Sequence, residues 1–62
     1  MQPAILKVGT MPTYHYWVWG NKKISTYKSG DKIKFTEQKK YGKWEHGIVT
    51  DVIGTVPFVE RM

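Results

Sequence analysis

Lys32-Ile33-Lys34-Phe35-Thr36 is the stretch whose reading decides the fold class. In an extended chain successive side chains leave on opposite sides, so Ile33 and Phe35 share one face while Lys32, Lys34 and Thr36 share the other. One face is core and the other solvent, as in a sheet covered on one side only. Upstream, Ser29-Gly30-Asp31 reads as a turn. Farther back, Gly20-Asn21-Lys22-Lys23 offers residues that accept positive φ, and it separates two β-rich runs, Tyr14-His15-Tyr16-Trp17-Val18-Trp19 and Ile24-Ser25-Thr26-Tyr27. These are expected to form a hairpin. Residues 4–8 make another short β-rich segment.

Downstream, Lys39-Lys40-Tyr41-Gly42-Lys43 reads as a polar loop, and residues 44–53 form the longest β-rich stretch, with Gly47 inside it suggesting a bulge or sharp bend. Gly54-Thr55 turns the chain again, and residues 56–59 can form a last strand in which Pro57 fits only at an edge or at the strand start. Glycines and prolines interrupt nearly every window in which a helix of three turns could be written. Between Gly9 and Tyr14 there is room for a single helical turn. Five or six short strands joined by turns specify an all-β domain, a small antiparallel barrel or two packed meanders, with closure favoured because it removes exposed edges.

The chain has 62 residues, enough for one domain and one core. It contains no cysteine, which excludes disulfides, thiol catalysis and cysteine-rich zinc sites. Stability must then come from apolar packing, and the 40% hydrophobic and 15% aromatic contents are those of a folded chain. No apolar run approaches the roughly 20 residues needed to span a bilayer, and residues 1–7 lack a signal-peptide pattern, so a cytoplasmic protein without membrane association is expected. The formal net charge is +5 and is unevenly placed: eight lysines lie between Lys22 and Lys43, against Asp31 and Glu37. A concentrated basic excess favours an acidic partner through long-range attraction.

Gly30-Asp31-Lys32-Ile33-Lys34-Phe35, followed by Gly47-Ile48-Val49-Thr50-Asp51-Val52, resembles the KOW and Tudor-like group of SH3-like barrels. That resemblance covers residues 30–52. It implies a single SH3-like barrel over residues 1–62, with binding of nucleic acid or protein by loops and an exposed sheet face and no catalysis. A second likeness is to ASCH-like barrels, at Gly20-Asn21-Lys22 before Gly30-Asp31-Lys32-Ile33.

Two features are candidates for a binding site. Alternation sends Tyr14, Tyr16 and Val18 to one side and His15, Trp17 and Trp19 to the other, so large rings leave both faces of one strand. With twelve Val, Ile and Leu residues already available, nine aromatics exceed what so small an interior takes. Either one set is exposed beside the lysines as a platform for bases, or a curled sheet half-buries both. Trp17, Trp19 and Trp44 are the candidate rings. Lys22, Lys23, Lys32, Lys34 and Lys43 are the candidate cations. Lysine suits phosphate as a point charge, whereas bidentate base reading favours arginine, of which there is only Arg61, so any nucleic-acid binding is expected to be weakly specific. The plainer account of the lysines is a solubilising surface.

Catalytic constellations are sparse. His15 and His46 are the only imidazoles, and Glu45 beside His46 in a strand points to the opposite face, so the two cannot act as a dyad. No metal-ligand spacing or phosphate-binding loop is present, and no cofactor is expected. The expected function is a non-enzymatic binding module with DNA or RNA as partner. The alternative is a small regulator or inhibitor of phage or mobile-element type that docks its aromatic patch on a larger host protein. The pattern favours neither monomer nor homodimer.

Overall fold

A computed structural model describes residues 1–37 and 42–62. The chain runs β1 (Gln2–Val8), β2 (Tyr14–Val18), a 3-10 turn (Ile24–Thr26), β3 (Lys32–Thr36), β4 (Glu45–Ile53) and β5 (Val56–Arg61). These strands form a closed barrel in sequential order. Four seams are antiparallel. The fifth, between β1 and β5, is parallel and short, with Lys7 opposite Phe58 and Val8 opposite Val59. Arithmetic forces this: a meander of five strands ends pointing the way it began, so its first and last strands can meet only in parallel. The Gly9 amide extends the seam by donating to the Val59 carbonyl at 2.8 Å.

The expected alternation holds in β3, where Ile33 and Phe35 are buried and Lys32 is exposed. Leu6, Val8, Tyr16, Val18, Tyr27, Val49 and Val59 complete the core. Tyr16 and Phe35 meet edge to face at its centre, with centroids 5.5 Å apart, a geometry that adds about 0.5–1.5 kcal/mol beyond area burial.

Two sequence expectations are corrected. Residues 24–27 do not pair with the aromatic run, which lies instead between β1 and β3. Thr26 sends both its amide and its hydroxyl to the Lys23 carbonyl, at 3.0 and 2.6 Å. Such a local bond gives the backbone an alternative to a sheet ladder, and a 3-10 turn results. Gly47 is not the bulge; the register shifts between Val49 and Asp51. What Gly47 provides is room, because a Cβ there would lie 2.5 Å from Val59 Cγ1 and 2.8 Å from the Glu60 carbonyl oxygen. Pro57 takes the second of the two places the sequence allowed it, the strand start: it is the second residue of β5 and falls before the β1 seam begins, while β4 and β1 flank the strand.

The expected turns at residues 29–31 and 54–55 are present. Gly54 has φ +64° and the following Thr55 does not take positive φ, the pattern of a two-residue hairpin with glycine first. Between Gly9 and Tyr14 there is a turn, closed by the Met11 amide on the Val8 carbonyl at 3.1 Å, and no helix. Of the expected polar loop, residues 39–41 lie outside the described residues. No helix among the described residues is long and apolar enough to cross a membrane.

Candidate binding face

All three tryptophans lie outside the core. Trp19 is 54% exposed, and Trp17 and Trp44 are half-buried. The reason lies in β2: Tyr16 and Val18 take the inward positions, so residues of the opposite parity, His15, Trp17 and Trp19, face outward. Tyr14 has inward parity but is 57% exposed, two residues before the buried part of the strand begins at Tyr16.

Strand register then builds a surface from three elements. Trp17 lies opposite Thr36, the Trp19 amide donates to the Lys34 carbonyl at 2.9 Å, and Lys34 lies opposite His46. Trp44 directly precedes β4, so continuing that register sets it across β3 from Trp17. Over this framework the side chains converge. The Trp19 and Trp44 rings meet edge to face with centroids 5.3 Å apart, and the Lys34 Nζ stands 5.0 Å from the Trp19 ring centroid. Thr36 has outward parity yet is only 1% exposed, in register with the flanking indoles. Lys32 is exposed on the same face of β3, and Lys43 is exposed next to Trp44.

The five candidate lysines therefore divide. Lys32 and Lys34 share the outer face of β3 with the tryptophans, whereas Lys43, next to Trp44 in sequence, lines a cleft with Thr36, Glu45 and Arg61. Lys22 is engaged elsewhere: its ammonium pairs with Asp31 Oδ2 at 2.8 Å and lies 4.4 Å from the Tyr27 ring centroid, while its carbonyl accepts from Gln2 Nε2. Lys23 is exposed, and its carbonyl closes the 3-10 turn. Asp31 also accepts from the Lys28 amide, and these bonds, that to Lys22 foremost, hold its carboxyl below the ordinary range.

Two clefts open at one end of the barrel. One, of about 460 Å³, is lined by Thr36, Glu37, Gly42, Lys43, Glu45 and Arg61, and the other, of about 230 Å³, by Met11, Pro12, Tyr14, Tyr16 and Glu37. Arg61 Nε donates to Glu45 Oε1 at 2.6 Å across the first. Burial, and then the charge of Glu37, push the Tyr16 phenol above its ordinary pKa. Glu45 is thus committed to Arg61 while the neighbouring His46 is exposed on the outer face. No three His, Asp or Glu side chains gather as a metal site among the described residues.

His46 and Thr36 belong to the tryptophan face and were not evident from sequence. Parity alone puts Trp44 and His46 on one side of β4, but only the β3–β4 register sets His46 against Lys34. Comparison with known protein families, with curated proteins and with solved structures finds no match.

Proposed function

We propose that this chain is a non-enzymatic binding module that holds nucleic acid, with little sequence preference, on the outer face of β2 and β3. One observation carries the reading: an exposed indole, Trp19, meeting the half-buried indole of Trp44 edge to face, with the ammonium of Lys34 standing over the Trp19 ring. Flat exposed rings accept bases of any identity, contributing about 1–3 kcal/mol per stacked base, while flanking lysines take the phosphates. Lys32, Lys34 and Lys43 supply those charges. Weak sequence preference follows from Arg61, the one side chain suited to bidentate base reading, being engaged by Glu45. The resemblance to KOW and Tudor-like barrels supports the same reading, because residues 30–52 include β3 and all of β4 but Ile53. A nucleic-acid partner also fits the cytoplasmic location expected from the sequence.

The test is titration of the tryptophan fluorescence with single- and double-stranded DNA and RNA at low salt. Quenching on single strands is expected, with an affinity that falls as salt rises, because phosphate contacts release counterions. Absence of quenching, or binding indifferent to salt, removes the reading. Salt-indifferent retention of one protein partner after nuclease treatment would favour the alternative, a module docking its indole pair on a larger protein.

A further inference from the structure

The tryptophan face has a fourth corner. His46 is exposed, lies directly across the β3–β4 ladder from Lys34, and has the same parity as Trp44. Directly opposed residues in an antiparallel pair have Cβ atoms about 4.5–5.5 Å apart, so an imidazole and an ammonium placed there can address one phosphate or two successive ones. The other charged groups on the neighbouring elements are Lys32 on β3 and Glu60 and Arg61 on β5, with Arg61 held by Glu45; the Met62 amide donates to the His46 carbonyl at 3.0 Å.

We propose that His46 is a further ligand-contacting residue of this face, a phosphate contact that forms only when its imidazole carries a proton. The proposal rests on the nucleic-acid reading above and adds to it a dependence on pH. A lysine ammonium ordinarily keeps its charge across the neutral range, whereas imidazole is the side chain that exchanges a proton between about pH 5 and 8. One added contact on a single strand steepens the dependence of log K on log salt by roughly 0.7, which at ~0.05 M salt amounts to about five- to tenfold in affinity. His15, the other imidazole, faces outward on β2 opposite Ile5, away from Lys34, and serves as the internal control.

Fluorescence titration with oligothymidylate, whose bases do not titrate in this range, at about pH 5.5 and about pH 8 tests the inference. The parent is expected to bind more tightly and with the steeper salt slope at the lower pH. His46→Gln is expected to abolish both differences, and His15→Gln to keep them. Circular dichroism at both values checks that each variant is folded. Binding that shows no pH dependence, or a pH dependence that survives in His46→Gln, overturns the role of His46 and leaves the nucleic-acid reading standing. No binding at either pH overturns both.

Discussion

The Lys34 ammonium stands 5.0 Å from the centroid of the Trp19 indole, and the same two residues are joined through the backbone, amide of Trp19 to carbonyl of Lys34, at 2.9 Å. An exposed cation over an indole contributes only about 0.5–1 kcal/mol. On the nucleic-acid reading proposed above, a base stacking on that side of Trp19 would displace the ammonium at small cost and find it beside the adjoining phosphate.

Trp19 and the lysines are accordingly expected to fail in different ways. Trp19→Ala should weaken single-strand binding by about 1–3 kcal/mol and leave the salt slope nearly unchanged, since stacking releases no counterion. Replacing Lys32 and Lys34 together with Ala should flatten that slope by roughly 1.4. Trp19 is more than half exposed, so its truncation should leave circular dichroism as in the parent; Trp17→Ala, at a half-buried position, should lose more stability. Parent-like binding by both the Trp19 and the double lysine variants would show that rings and charges serve only packing and solubility.

Gly47→Ala should be among the most damaging single-methyl changes in the chain. The added Cβ would meet Val59 Cγ1 at 2.5 Å and the Glu60 carbonyl oxygen at 2.8 Å, and backbone on a paired strand cannot step aside. Overpacking of this kind costs about 1–3 kcal/mol. Gly54→Ala meets no atom within 4 Å and suffers only from its φ of +64°, a strain of about 1–2 kcal/mol. Urea midpoints compare the two, and a Gly47→Ala midpoint equal to the parent's would refute the close approach of β4 and β5.

Acid should expose the Asp31 junction. Its carboxyl is held below the ordinary value of 3.8, first by the hydrogen bond from Lys22 and then by that from the Lys28 amide. A depressed folded value means that the contribution is complete well above 3.8 and is lost as pH falls through the lower folded value. Thermal melts from about pH 6 down to about pH 2 should show the parent losing stability faster than Asp31→Asn below about pH 4. Parallel curves would show that the junction contributes nothing.

Alkali should act on Tyr16. Burial, followed by Glu37, raises its phenol above the ordinary 10.0, so the neutral form belongs to the fold. Stability from this group is present below that value and is lost as pH rises through the raised folded one. Tyrosinate absorbance should lag for one tyrosine until near-ultraviolet dichroism collapses, and Tyr16→Phe should move that collapse upward in pH. An unchanged alkaline midpoint in Tyr16→Phe would rule out this cause.

Sequence by itself determined the all-β class, the inward face of β3, and the turns at residues 29–31 and 54–55, because side-chain alternation and the φ freedom of glycine act within a few residues. It also placed Trp17 and Trp19 on one side of β2 and Tyr16 on the other. Only the tertiary structure decided which side is the interior, since both carry large rings and the choice depends on how five strands curl and close. The same holds for Ile24–Thr26, whose β-rich composition yields to a local hydroxyl bond once Tyr27 is drawn into the core, and for Gly47, where the decisive atoms belong to β5. Cross-strand register, which joins residues far apart in sequence, brought Trp19, Lys34, Trp44 and His46 to one face, and the loop that carries Lys22 set its ammonium against Asp31. Alternation along one strand carries no information about its partner, and so the proposed binding face became visible only when the barrel was closed.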